Sequence, residues 1–117
     1  MLRYVLLRHE GIAKPHFDLM LETAPDSLLA TWRVYRWPID EQVPVEKLAE
    51  HRRDYLEYEG PLSNDRGHVK RIIAGTHRID RKFETLWDVT LLTPVPEQRI
   101  ILATVLPDQW VAVPLSS

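Results

Sequence analysis

A small, mainly β chain that closes into one compact barrel with one or two short helices is the fold the sequence predicts, on three observations. Candidate strands of five to ten residues follow one another from residue 2 to residue 113. Turn residues separate them, and Pro94, Pro96, Pro107 and Pro114 punctuate the last of them. The 117 residues, 44% apolar and 27% charged, fit a single domain, 1–117, with an ordinary globular balance.

Residues 2–9 (LRYVLLRH) are rich in β-formers. Their apolar run is too short for a signal peptide and is interrupted by Arg3. No stretch nears the roughly 20 apolar residues of a membrane span. The loop 10–15 (EGIAKP) turns the chain back into 16–22 (HFDLMLE), which alternates strictly between polar and apolar. Residues 28–36 (LLATWRVYR) form a third strand. In 43–53 (VPVEKLAEHRR), Val45, Leu48 and Ala49 stand at helical spacing with Pro44 near the start, which predicts a short helix plugging one barrel end. Residues 60–67 (GPLSNDRG) read as a loop. Strands are expected over 68–73, 76–83, 84–93, 98–105 and 109–113.

The absence of cysteine excludes disulfides, zinc–thiolate sites and cysteine nucleophiles, and fits a cytoplasmic protein. A net charge of −2 argues against nonspecific coating of nucleic acid. Recognition of one phosphate at a strand end needs only a few local cations.

One segment has chemical content. Side chains alternate along a strand, so Phe17, Leu19 and Leu21 are expected to face the core, while His16, Asp18, Met20 and Glu22 share the other face. His9 ends the preceding strand, and the hairpin brings it beside His16. Two imidazoles and a carboxylate suit manganese, zinc or iron. The bland reading is an amphipathic hairpin whose polar side faces water, and spacing alone leaves both open. His51, in the charged run 50–54, reads by itself as a solvated helix end, and His68 and His77 read as surface residues. Trp32, Trp37, Trp87 and Trp110 are expected to pack the core and rim.

These residues also resemble the 3′-phosphoesterase domain of bacterial DNA ligase D. That family opens with a strand ending in histidine and continues roughly His-Tyr-Asp-Leu-Arg-Leu-Glu; here the segment is His16-Phe17-Asp18-Leu19-Met20-Leu21-Glu22. The family's Ser-Trp-Ala-Val is similar to Thr31-Trp32-Arg33-Val34, and its Lys-Arg-Leu-Ala-like stretch to Glu46-Lys47-Leu48-Ala49. His51, Tyr55 and Glu59-Gly60 keep the spacings His-x3-Tyr and His-x7-Glu-Gly, and Gly67-His68-Val69 is similar to a later Gly-x-Val. The resemblance runs from about residue 3 to residue 78. It implies a β-barrel with a polar concave face and manganese held by His9, His16 and Asp18. His51 and Tyr55 would contact the phosphate as the catalytic pair, Arg8 and Arg52 would add charge, and Glu22 would support the site. The activity implied is hydrolytic removal of a 3′-phosphate or a 3′-terminal ribonucleoside from a DNA or RNA–DNA primer end. Its setting would be bacterial DNA repair by non-homologous end joining, with a ligase and polymerase supplied in trans and no membrane partner.

The departures point to a stand-alone, divergent member. The gap between the two metal histidines is one residue longer and contains Pro15. The family's phosphate-binding arginine, two positions after the aspartate, is Met20. Arg8, Arg36, Arg52 and Arg53 are the candidate substitutes, and Met20→Arg is expected to raise turnover at least about tenfold. The family's N-terminal arm has no counterpart ahead of the first strand, and Arg71-Ile72 stands where the family has Trp-Asp. Three alternatives follow in order: a non-catalytic phosphate or nucleic-acid-end binding module, a cupin-like small-molecule metalloenzyme, and a plain structural barrel.

Overall fold

Alternation in the first two apolar runs builds the first hairpin. In the computed structural model, which describes residues 1–115, β1 (Leu2–Glu10) runs antiparallel to β2 (His16–Glu22), in a register that sets His9 opposite His16. Next come β3 (Leu29–Val34), β4 (Val43–His51), a 3-10 turn (Arg53–Leu56), β5 (Gly60–Pro61), β6 (His68–Lys82), β7 (Leu86–Leu91), β8 (Gln98–Leu106) and β9 (Gln109–Leu115). The sheet order β1-β2-β3-β4-β9-β8-β7-β6 returns to β1 through the β1–β6 ladder, so eight antiparallel strands form a closed barrel. The two-residue β5 adds to β6. Closure leaves no long unpaired edge among these strands.

Apolar side chains fill both faces of the first hairpin. Tyr4, Leu6, Leu19, Leu21, Trp32, Val34, Trp87, Ile100 and Leu102 belong to the cluster inside the barrel. Trp32 is fully buried and meets Trp87 edge-on at 4.9 Å and Trp110 at 6.1 Å, while Trp37 packs at the margin, as expected of core and rim tryptophans. Val5, Leu7, Met20, Leu29, Leu56 and Val69 form a second cluster on the opposite face of the same strands, with Tyr55 and Leu62 against it. The 53–66 segment thus roofs part of the outer wall, and the polar-looking face of β2 is buried along with its apolar one.

Three expectations are corrected. The helix over 43–53 is instead strand β4. Val43 and Val45 are β-branched and point inward on alternate positions, and pairing to β3 on one side and β9 on the other completes the barrel wall. Local helical spacing yields to that tertiary pairing, and among the described residues the helical content reduces to the single 3-10 turn. The strands over 68–73 and 76–83 are one 15-residue strand, with Gly75 continuing it. A Cβ at Gly75 would strike the Thr93 carbonyl, which also accepts the Tyr4 hydroxyl at 2.9 Å.

His77 is the third correction. Its side chain is buried, and its Nε2–H donates to the Glu22 carbonyl at 2.8 Å. Burial holds its pKa below the ordinary imidazole value against the raising effect of Glu22. A depressed pKa means that the unfolded chain binds the proton first. Stability contributed by neutral His77 is therefore complete above about pH 6.5 and is lost as pH falls further. His77→Gln, which can keep the donor to Glu22, is expected to flatten the dependence of unfolding free energy on pH just below 6.5. An unchanged slope in urea melts across that range would contradict this role.

Candidate metal centre

The β1–β2 register makes His9 and His16 direct cross-strand neighbours, with ring centroids 4.9 Å apart, and places Asp18 two residues along the same face. One ligand atom from each of the three lies within 4.8 Å of the others. His9 Nδ1 stands 3.9 Å from Asp18 Oδ2, and His16 Nε2 stands 3.4 Å from Asp18 Oδ1. Donors bound to one ion at about 2.0–2.2 Å sit roughly 3–3.5 Å apart, so the His16–Asp18 pair is already at that spacing.

Hydrogen bonds on the far side of each ring fix which nitrogen carries the proton. His9 Nε2 is 2.7 Å from the Arg66 carbonyl, and His16 Nδ1 is 3.0 Å from the Lys14 carbonyl. A carbonyl only accepts, so both of these nitrogens donate. In the neutral rings the lone pairs are then at His9 Nδ1 and His16 Nε2, the atoms that face Asp18. His16 Nε2 and Asp18 Oδ1 are buried and have no hydrogen-bond partner. Two lone pairs and a carboxylate converging without a proton or donor between them repel one another, and a cation among them removes the repulsion. Backbone carbonyls that hold the outer nitrogens of metal-binding histidines are the usual means of orienting them. The residues therefore fit a divalent ion.

Local structure supports these bonds. Gly67 has φ +80° and abuts the Glu10 carbonyl, where any Cβ would collide. That close approach brings the neighbouring Arg66 carbonyl onto His9.

His51 and Tyr55 lie in the same cleft as the cluster. The cleft, about 570 Å³, is lined among others by His9, His16, Asp18, Arg33, His51 and Tyr55. A bulge brings His51 there. β3 runs from Leu29 to Thr31 while β4 runs from His51 back to Leu48, so β4 carries one extra residue. The extra residue flips the alternation and turns His51 to the face of Leu29. His51 Nδ1 donates to the Ala49 carbonyl at 2.9 Å, which leaves Nε2 for a ligand. Its ring meets Tyr55 edge-on at 5.7 Å. His51 is thus not at a solvated helix end.

Glu22 sits outside this cleft but holds its wall. Its carboxylate accepts the Arg3 N–H at 3.0 Å and pairs with Arg53 at 2.6 Å, and Arg53 also donates to the Ser27 carbonyl at 2.8 Å. Burial pushes the Glu22 carboxyl up, yet the Arg53 and Arg3 hydrogen bonds leave its pKa below the ordinary value. This ties the 3-10 turn carrying Tyr55 to the end of β2.

The arginines divide differently from expectation. Arg8 does not line the cleft: it pairs with Glu10 at 2.9 Å and lies over Phe17 at 4.6 Å. Arg36 pairs with Asp40 and Glu41. Arg52 lines an adjoining hollow of about 330 Å³ that shares Tyr55 and Arg66 with the cleft. Two arginines that sequence reasoning missed, Arg33 and Arg66, do line it. Strand alternation puts Arg33 on an outward position, but the register that sets it opposite Asp18 depends on the 23–28 turn, whose residues do not specify it.

Met20 shares the Asp18 face, as alternation requires, and is among the residues lining the cleft, but only 1% of it is exposed, and it packs with Val5, Leu7, Leu29, Leu56 and Val69. The stem of an arginine at this position would lie among these side chains. Met20→Arg is therefore expected to cost about 2–5 kcal/mol of stability in denaturant melts, whatever its effect on turnover. A variant as stable as the parent would show that the guanidinium extends into the open cleft.

No protein-family model matches the chain, and no curated protein matches it.

Proposed function

We propose that the chain is a metal-dependent hydrolase resembling the ligase D 3′-phosphoesterases, and that it removes a 3′-phosphate or 3′-terminal ribonucleoside from nucleic-acid ends during end repair. One observation carries the reading. His51 and Tyr55, 33 and 37 residues beyond Asp18, meet the His9–His16–Asp18 cluster in one cleft, although a strand bulge is needed to bring His51 there.

His9, His16 and Asp18 would hold a divalent ion, manganese by the resemblance, with zinc and iron the other metals the donor set suits. The chemistry contributed by such an ion is Lewis acidity toward a phosphoryl oxygen. The chain's residues do the rest. His51, its Nδ1–H held by the Ala49 carbonyl, serves through Nε2 as the general acid: water adds to phosphorus, the bond from phosphorus to the 3′ oxygen breaks, that oxygen takes the Nε2 proton, and the proton lost by the water replaces it on His51. Tyr55, braced between His51 and Tyr58, orients the same group through its hydroxyl. Leu48, Leu62 and Val69 form the apolar part of the cleft wall.

The partners proposed are a DNA or RNA–DNA primer 3′ end and a ligase and polymerase acting in trans, in the cytoplasm. Among the described residues no helix is long and apolar enough to cross a membrane.

Product analysis tests the reading. With manganese, a primer bearing a 3′-phosphate is expected to release inorganic phosphate, and a primer ending in a 3′-ribonucleoside to be shortened by it. A 5′-phosphorylated primer should be untouched. Tight manganese-dependent binding of the 3′-phosphate end without any product would establish the binding module instead.

A further inference from the structure

Asp18 has an arginine as its direct cross-strand partner, Arg33, yet the two do not form an ion pair among the described residues. Opposed side chains in such a pair start from Cβ atoms about 4.5–5.5 Å apart, well within reach of a guanidinium. The Asp18 carboxylate turns to the two imidazoles instead. The closest acid to Arg33 is Glu46, whose Oε2 is 3.7 Å from Nη1 and whose Oε1 already accepts the Tyr35 hydroxyl at 2.8 Å. Arg33 Nε is buried with no partner at all, while the side chain as a whole keeps 34% of its surface and lines the cleft.

The other cations lining the cleft are occupied. Arg66 donates through Nε and Nη2 to the Ser63 carbonyl and hydroxyl at 2.9 and 3.0 Å. The Lys14 ammonium lies over the Tyr35 ring at 4.4 Å. Arg33 alone combines a place beside the cluster, an unpartnered buried N–H and a head that reaches open space. The exposed Nη head, held only by Glu46 at 3.7 Å, can donate to an anion in the cleft.

We propose that Arg33 is the anion clamp of this cleft, its guanidinium donating to oxygens of the phosphoryl group that His51 and the His9–His16–Asp18 cluster share. The proposal rests on the phosphoesterase reading of the site. It assigns to β3 the phosphate-holding role that the apolar side chain of Met20 on β2 cannot fill. The ligand class is a tetrahedral phosphate monoester, and the planar fork of arginine matches two of its oxygens.

Calorimetric titration tests it, with inorganic phosphate and with dinucleotides bearing a 3′-phosphate, a 5′-phosphate or a 3′-hydroxyl, on metal-free and manganese-loaded protein. Arg33→Ala is expected to weaken inorganic phosphate and the 3′-phosphorylated dinucleotide at least tenfold in both states. Its manganese affinity should change by less than about threefold. Arg33→Lys should recover only part of the loss, because a point charge replaces a fork. Glu46→Gln should tighten phosphate two- to threefold by removing the competing carboxylate. Binding of the 3′-hydroxyl dinucleotide should not respond to Arg33, and a response limited to the 5′-phosphorylated one would overturn the assignment of the end. If Arg33→Ala does not fold, Arg33→Gln keeps the stem and is read in the same way. Unchanged phosphate affinity in the folded variants, or none in the parent, overturns the clamp. The broader reading fails separately, on absent manganese binding or absent phosphate release, while the metal-free titration still decides Arg33.

Discussion

Asp18→Asn and His16→Ala are each expected to lower manganese affinity by more than about 100-fold in a calorimetric titration, the largest effects foreseen for this chain. Losing an outer partner of a metal ligand typically costs 10–100-fold, and here a ligand itself is lost. The two variants should differ in the metal-free state. Asp18→Asn exchanges a carboxylate that faces two lone pairs for an amide that can donate to one of them. It is therefore expected to melt at or above the temperature of the metal-free parent, as substitutions that relieve strain in functional sites often do. His16→Ala removes a buried ring that packs against His9 and Tyr35, and should melt lower. Manganese at 100 times the parent's dissociation constant should stabilise the parent by about 2.7 kcal/mol and Asp18→Asn by no more than about 0.4 kcal/mol. Equal affinity in parent and both variants would rule out the cluster as the binding place.

His51→Ala is expected to cut release of phosphate from a 3′-phosphorylated primer by about 10²–10³, or roughly 3–4 kcal/mol of transition-state stabilisation. The variant should keep manganese affinity, because His51 is not among the three ligands. It should also keep its fold, since the 51 side chain is only half-buried at the cleft wall. His51→Asn can reproduce the Nδ1 donor to Ala49 but cannot take up a proton, so it should be as slow as alanine. A fully active His51→Asn would reduce His51 to a positioning role.

How much of this was legible beforehand follows from what a strand reveals. Period-two alternation in residues 16–22 placed His16 and Asp18 on one side, and a short loop ahead of Pro15 brought His9 opposite, which the observed pairing of His9 with His16 repeats. Alternation does not reveal how many layers a strand is buried under. Alternation alone leaves the outer face of β2 open, whereas the 53–66 segment covers it and buries Met20 and Glu22. Residues 43–53 carried apolar residues at spacings compatible with both helix and strand, and only the pairing needs of β3 and β9 decide between them. The bulge that aims His51 into the cleft leaves no local signature in Ala49-Glu50. His77 looked like a surface residue because its neighbours in sequence are polar, and its partner, the Glu22 carbonyl, is 55 residues away. Arg33 is hidden in the sequence for the same reason: its neighbour across the sheet, Asp18, and not those along the chain, puts it beside the cluster.

The central claim is that His9, His16 and Asp18 hold one divalent ion. It is tested most directly by anomalous diffraction from crystals of the protein soaked in manganese. The account predicts one strong peak about 2.0–2.3 Å from His9 Nδ1, His16 Nε2 and an Asp18 carboxylate oxygen, on the His51 side of the cluster. A cluster without a peak at saturating manganese, or a peak bound by other residues, would contradict it.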